Sequence, residues 1–555
     1  MNTLARFVPR RADYQGLRAA WKKDVVAGLT VGVVALPLAL AFGITSGMGA
    51  TPGLVTAIVA GLVAALLGGS SVQVSGPTGA MAVVLVPVVA RYGVTAVYTV
   101  GLMAGVLVLA AALLRLGRYV AFVPWPVIEG FTVGIATLIF LQQVPSALGV
   151  AKPKGDNTAV GAVRAFARAL HHGRGASLVI VAVVVAAMIV LPRLHRALPA
   201  SLISVGLATI GAQVAHLKVS YIGAVPSSLP TPLLPHLSVS RMSDLFSAAL
   251  AVAALAALES LLSAKVADGM ADARKHDPDR ELFGQGAANI ASALFGGMPA
   301  TGAIARTAVN VRAGARTRVA AMVHAVFLLG VVLWAGTLVA KIPLAALAGV
   351  LMVTAVRMVE PHNVRAVLRA TRSDALVLVL TALATVAFNL VTAIELGMAV
   401  AAVLALRSVA RSAAIVPEKV ADEIDTAEAA ALLHDGILTY RLDGALFFGA
   451  AQRFLTELTA VSDVRVVVLR LPALQVLDAT GAQALGEIVA ELEARGITVL
   501  VKGPRPDHLR TLTAVGALDH LAHANHLFEN LDDARAHAHA HALRVQSGGG
   551  NSGRS

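Results

Sequence analysis

Cysteine is absent from this 555-residue chain, which excludes disulfides, thiolate zinc sites and cysteine nucleophiles. Charge is scarce: Asp, Glu, Lys and Arg make up 14% of the residues, against roughly a quarter in soluble proteins. The deficit is concentrated in residues 24 to 416. With 57% apolar residues and a mean hydropathy of +0.76, it excludes a water-soluble enzyme of this length. The Gly-rich stretch 68 to 79 lacks the Gly-Lys-Ser/Thr ending of a phosphate-binding loop. The first 20 residues lack an apolar core followed by a small-residue cleavage site, so the first apolar run itself must direct insertion. No enzymatic activity, cofactor or metal is expected.

What is present is apolar and periodic. Runs of the length that spans a bilayer occur near 25–44, 53–69, 94–114, 121–148, 176–192, 200–215, 245–266, 319–339, 343–356, 374–391 and 394–410. Three more, 73–90, 283–295 and 298–312, are short or interrupted, for an expected total of fourteen. The formal net charge of +13 does not point to nucleic acid. Its arginines (Arg115, Arg118, Arg193, Arg196, Arg312, Arg316, Arg318, Arg407, Arg411) punctuate the ends of apolar runs, as in the cytoplasmic loops of a membrane protein. Residues 1–23, with Arg10, Arg11, Arg18, Lys22 and Lys23, read as a cytoplasmic segment, and an even number of spans returns the other end to the same side. The basic stretch 150–175 falls outside in this count, against the rule, and its Ala/Arg/Val pattern suits an amphipathic surface helix.

Residues 24–416 thus form the expected transmembrane domain. Charge returns over 417–531, where β-branched runs alternate with helical patterns: GILTYRLDG, FFGAAQRFLTELTAV, VRVVVLRLP, ATGAQALGEIVAELEARG and ITVLVKG. Strand, helix, strand, helix, strand describes a small soluble α/β domain. Residues 532–555 read as a disordered tail. His537, His539 and His541 alternate with Ala in it, and since i and i+2 do not share a helical face, solvated histidines are expected there rather than a metal site.

Two segments echo one another: SVQVSGPTGAMAVV around 71–84 and GGMPATGAIARTAV around 296–309, with Gly79 aligned on Gly302. Pro and Gly at that density break a continuous helix, yet both segments sit between good spans. Paired interrupted segments in corresponding halves point to a transporter site at the bilayer midplane. Short helices beginning at Pro77 and near Thr301 or Gly302 would aim unpaired amides and positive dipole ends at one cavity, which suits an anion. Seven spans per half would invert the second half, so that the helix starts face each other. The Gly28/Gly32 and Gly101/Gly105 pairs read as close helix packing.

A charge at a helix centre in a bilayer costs about 2.5 to 3.5 kcal/mol on insertion scales, so each is a functional candidate. Glu259 has no opposite charge within four residues, and its carboxyl could take up and release a proton as the cavity changes side. Arg306, one turn beyond Gly302, would add full charge to the dipole site.

The segments VAGLTVGVVALPLALAF (26–42), VSGPTGAMAV (74–83), ESLLSAKVADGM (259–270), ELFGQGAANIASALFGGMPATGAIARTAVNVRAGA (281–315) and LRLPALQVLDATGAQAL (469–485) resemble the SulP family of anion permeases over nearly the whole chain. The resemblance implies an all-α polytopic membrane protein of fourteen transmembrane segments in a 7+7 inverted repeat, with core and gate domains, followed by a soluble α/β STAS domain. It further implies an elevator-like cycle, a homodimer, and an anion held between the third and tenth spans by Phe42, the amides of Thr78, Gly79 and Ala80 and of Ala303, Ile304 and Ala305, and Arg306. Glu259 falls on the eighth-span acidic position. Many members have Gln where Leu38 stands. Sodium-coupled bicarbonate members carry Asp where Ser263 stands, and a hydroxyl alone replaces a carboxylate poorly around a hard cation. Ala479 follows Asp478 where the anti-sigma antagonists carry a phosphorylatable Ser.

The resulting expectation is a proton-coupled symporter of a small anion (fumarate, sulfate or bicarbonate) in a bacterial inner membrane, with Glu259 carrying the proton. The alternatives are an uncoupled exchanger or channel of the same fold, told apart by chloride currents that ignore pH, and a membrane-anchored STAS sensor, which would have no transport to lose on removal of 417–555.

Overall fold

The structure, a computed structural model, describes residues 7–14, 16–151, 158–172, 175–195, 198–223, 228–232, 239–271, 275–388, 390–412, 414–417, 436–446 and 464–548. They fall in two compact units, Met1–Ala399 and Val400–Ser555. In chain order the first elements are α1 (Leu17–Thr45), α2 (Ala50–Leu67), β1 (Ser75–Gly76), α3 (Gly79–Tyr92), α4 (Val94–Leu113), α5 (Trp125–Ala147), α6 (Thr158–His172), α7 (Gly175–Leu194) and α8 (Ala200–Val214). There follow α9 (Val239–Met270), α10 (Pro278–Leu294), β2 (Thr301–Gly302), α11 (Ile304–Arg312), α12 (Val319–Ala340), α13 (Leu344–Met358), α14 (Pro361–Ala370), α15 (Arg372–Ala387) and α16 (Leu390–Ser412). Among the described residues eight helices are long and apolar enough to cross a membrane, and α3 and α8 are shorter apolar helices. The basic 150–175 stretch contains α6, whose Ala162 and Ala165 are buried while Val163, Phe166 and Leu170 are exposed.

The interrupted spans differ from expectation in an informative way. Neither 73–90 nor 298–312 is a single helix: each opens with an extended pair of residues, and the helices start at Gly79 and Ile304, later than Pro77 and Thr301 or Gly302. The cause is that β1 and β2 satisfy each other's backbone as an antiparallel pair, Ser75 opposite Gly302 and Gly76 opposite Thr301. Counting from the ends of the strands, Gly302 corresponds to Gly76, not to Gly79. The shared Thr-Gly-Ala marked the right region in the wrong register.

Small residues set the helix crossings, where side-chain bulk would hold backbones apart. A Cβ on Gly28 or Gly32 would strike Val323 or Phe327 of α12, and one on Gly105 would lie 2.8 Å from the Gly286 carbonyl of α10. The N-terminal segment is fastened to this bundle. Phe7 stacks on Phe283 with ring centroids 4.7 Å apart, and Asp13 receives both amino groups of Arg280, at 2.8 and 2.7 Å. Arg318 lies 3.6 Å from the same carboxylate and donates to the Leu66 carbonyl at the end of α2 at 2.9 Å, where a helix C-terminus favours a cation.

Burial alone would push the Asp13 carboxyl up. The hydrogen bonds from Arg280 and from the Arg10 backbone, with the charges of Arg318 and Arg280, outweigh it and bring the pKa down to about 2. A depressed carboxylate contributes stability that is present above its unfolded value, 3.8, and lost as pH falls through the folded one, here on the order of 2 kcal/mol. Thermal unfolding of the detergent-solubilised protein between pH 6 and about 2 should show this step. Asp13→Asn should remove it and lower stability at neutral pH by about 3 kcal/mol, because Arg280 is left buried without its counter-charge.

In the second unit β3 (Ala414–Pro417), β4 (Ile437–Leu446), β5 (Val466–Arg470), β6 (Leu474–Leu477), α17 (Ala479–Ala494), β7 (Thr498–Lys502), α18 (Pro506–Val515), β8 (Leu527–Phe528) and α19 (Leu531–Gly548) follow in order. The sheet runs β3-β4-β5-β7-β8, with β6 beside β4. β3 is antiparallel to β4, and the pairs β4–β5, β5–β7 and β7–β8 are parallel. Asp478 caps α17 by accepting from Gly481 N at 2.7 Å. The helix expected over FFGAAQRFLTELTAV lies outside the described residues. The expected boundary at 416/417 falls inside β3, which pairs with β4 and so belongs with the sheet. The tail expected to be disordered from 532 is helical to Gly548. Ala534 and Ala538, one turn apart, are buried with Ile437, Val466, Val468 and Leu500, and burial on a sheet orders a segment too polar to fold alone.

Candidate anion-binding site

The β1–β2 pair sits where two helices begin. β1 leads through Pro77 and Thr78 into α3, and β2 leads through Ala303 into α11. Because the strands are antiparallel, the helices leave in opposite directions and their amino ends face one another across the pair. Neither first turn carries a side-chain cap. The N-cap residue of α3, Thr78, directs its hydroxyl instead to Oε2 of Glu259 on α9, at 3.0 Å. The N-cap residue of α11, Ala303, has no cap to offer. Two sets of first-turn amides with no side-chain acceptor are thus brought into one place, with two positive dipole ends.

Arg306 joins the two repeats. Its Nη2 donates to the Pro77 carbonyl at 2.7 Å, while Nη1 is buried without a partner among the described residues, and the side chain is 2% exposed. A Cβ on Gly76 would stand 2.6 Å from Nη1, so only glycine lets the guanidinium lie on the strand. Glu259 is half-buried, with the Thr301 hydroxyl and the Arg306 charge as further neighbours. Phe42 of α1 closes one side: its Cε1 would lie 3.2 Å from a Cβ on Gly79. Thr78, Gly79, Ala80, Ala303 and Arg306 are buried. Ile304 and Ala305 have exposed side chains, so only their amides can serve here. The structure therefore brings all nine singled-out residues to one neighbourhood.

Neutral polar residues hold this arrangement, and they carry no compositional signal in an apolar chain. Gly302 N donates to Ser260 Oγ at 2.9 Å. Ala303 N donates to the Val74 carbonyl at 2.9 Å, and Val74 N donates to Thr307 Oγ1 at 3.1 Å. Ser263 and Thr307 share a hydroxyl contact of 3.1 Å. Asn289 holds the loop before β2 through both atoms of the Ala300 backbone, at 2.8 and 3.0 Å. His324 of α12 is fully buried, with both ring nitrogens unpartnered among the described residues. An ionisable residue inside a span was the signal that marked Glu259 and Arg306, and it marks His324 equally.

Gly302 tests the geometry. A Cβ there would collide with the Gln73 amide and sit 3.1 Å from Ser260 Cα. Gly302→Ala should reduce anion uptake by about tenfold or more, the equivalent of about 1.4 kcal/mol, in protein that still elutes as a single species. Uptake unchanged from wild type would show that the strand pair does not position the site.

Two interrupted helices meeting over a strand pair inside a helical membrane domain define the fold of a secondary transporter. The chain belongs to the sulfate permease family, whose model matches residues 21–381, and a STAS domain matches residues 428–534. It is 34% identical over 527 residues to YvdB of Bacillus subtilis, provisionally named a sulfate transporter, covering 92% of this chain and 97% of that one. The solved transmembrane domain of a cyanobacterial bicarbonate transporter, BicA, is 33% identical, with a TM-score of 0.61 over 69% of this chain and 97% of that one. The murine Slc26a9 anion transporter in its inward-facing state shares the fold, with a TM-score of 0.81 over 97% of each chain at 16% identity.

Proposed function

We propose that the protein is a proton-coupled symporter of a small anion, working by an elevator-like movement in a bacterial inner membrane as a homodimer with both termini cytoplasmic. The observation that carries the reading is Arg306: one amino group is anchored on the opposite repeat and the other is buried and unpartnered, between two helix starts without side-chain caps. That arrangement supplies charge-assisted donors to an oxyanion and offers little to a cation or a neutral solute.

Sulfate and bicarbonate enter as substrates through the names of the relatives. A four-carbon dicarboxylate such as fumarate is favoured by Leu38, which puts an apolar side chain where a polar contact is common in the family. Ser263 bonds to a neutral hydroxyl, so no second carboxylate joins Glu259 there to hold sodium, and the proton falls to Glu259 as coupling ion.

The test is uptake of labelled sulfate, bicarbonate and fumarate into proteoliposomes with and without an imposed pH gradient. One of the three should accumulate when the outside is acid and equilibrate without the gradient. Chloride currents indifferent to pH, with no accumulation of any of the three, would overturn proton coupling in favour of an uncoupled channel.

A further inference from the structure

The second unit holds a cluster that the transport reading does not use. His526 ends a short helical turn, Ala524–His526, immediately before edge strand β8. His537 and His541 lie one turn apart on α19. The three rings pack together, with centroids 5.3 Å apart for His526–His537, 5.3 Å for His526–His541 and 5.0 Å for His537–His541. One ligand nitrogen from each ring lies within 4.8 Å of the others. Read two residues at a time the His-Ala repeat has no common face; read four at a time, on the helix that forms, it has one.

Packing alone does not account for the cluster. His526 is 0% exposed, and neither of its ring nitrogens has a hydrogen-bond partner among the described residues. The Val499 backbone faces the ring without meeting hydrogen-bond geometry. Nε2 of His537 is also buried and unpartnered. A buried polar atom without a partner costs about 1 to 3 kcal/mol, and such atoms occur here on two rings, His526 and His537, that pack against each other.

We propose that His526, His537 and His541 form a binding site for a divalent transition metal of the zinc class, which fastens α19 to the edge of the sheet. Imidazole suits zinc, copper, nickel and cobalt rather than magnesium or calcium. Tetrahedral zinc at about 2.0 to 2.1 Å from each nitrogen needs ligand atoms about 3.3 Å apart, which rotation of the side chains can reach from the present spacing. Three protein ligands leave a fourth position for water. The site joins residues before β8 to residues after it, so metal occupancy and docking of α19 are one equilibrium.

The full-length protein, purified in detergent through a tag without histidine and stripped with a chelator, is titrated with zinc against a chromophoric competitor. Wild type should bind one zinc per chain, and cobalt in its place should give the intense visible absorption of a four-coordinate site. His537→Ala with His541→Ala, both only partly buried and so compatible with folding, should weaken zinc by more than about a hundredfold. His539→Ala should bind as wild type. Zinc should slow proteolytic trimming of α19 in wild type and not in the double variant. Absence of stoichiometric binding in wild type, equal affinity in the double variant, or equal loss in His539→Ala would each overturn the site.

Discussion

Glu259→Gln is expected to abolish accumulation driven by a proton gradient while leaving exchange of anion for anion in place. Gln keeps the shape of the side chain and an oxygen for the Thr78 hydroxyl, which the carboxylate accepts at 3.0 Å, but its charge no longer varies. It mimics the proton-loaded form permanently. On the proposed mechanism, each coupled proton converts a gradient of one pH unit into about 1.4 kcal/mol, or about tenfold accumulation of the anion. Wild type should show that ratio, and Glu259→Gln should show none, with counterflow of labelled anion within a few-fold of wild type. Accumulation unchanged by the substitution would remove Glu259 from the coupling role and direct attention to His324, a fully buried ionisable residue of α12.

Arg306→Ala should have the larger effect on transport of any kind. It removes the buried guanidinium that both joins the repeats and offers a free donor to the anion, and it leaves the Pro77 carbonyl without its partner. Truncating one side of a buried charge-assisted contact costs about 2 to 5 kcal/mol, so uptake and exchange should both fall by about a hundredfold or more. Arg306→Lys retains the charge but not the planar fork, and a single ammonium cannot reach the carbonyl and the anion with fixed geometry; a partial loss, about tenfold, is expected. The measurement is initial-rate uptake and counterflow in proteoliposomes with matched protein incorporation. Arg306→Ala protein exchanging anion at the wild-type rate would place the substrate elsewhere.

Sequence alone pointed to the candidate site through two kinds of signal, beside the family resemblance that added Phe42 and the amides. Glu259 and Arg306 stood out because charge in an apolar run is costly, and the two Pro/Gly segments because they cannot continue a helix. Both signals are local and energetic, and they survive without coordinates. Register does not: nothing in the shared Thr-Gly-Ala indicates that the second copy spends its glycine in a strand and the first in a helix, because the difference arises from pairing across 227 positions, Gly302 against Ser75. Ser260, Thr307 and Asn289 were silent for a related reason, being neutral residues whose roles appear only when a distant backbone arrives beside them. The N-terminal clamp of Asp13 on Arg280 joins residues 267 positions apart, a pairing no local pattern reports. The tail misled for another reason, since an alternating pattern hides the four-residue spacing that Ala534, Ala538, His537 and His541 share.

The strand pair between β1 and β2 has a mechanical consequence. Four residues hydrogen-bonded across the pseudo-repeat act as a rivet, and a rivet transmits displacement without stretching. On the proposed elevator-like movement the cradle would not open by parting the half-helices, and an occupant would travel with both of them until the surrounding wall recedes. Distance probes placed at the far ends of α3 and α11 should accordingly keep a fixed separation throughout turnover, however far each moves relative to the rest of the bundle.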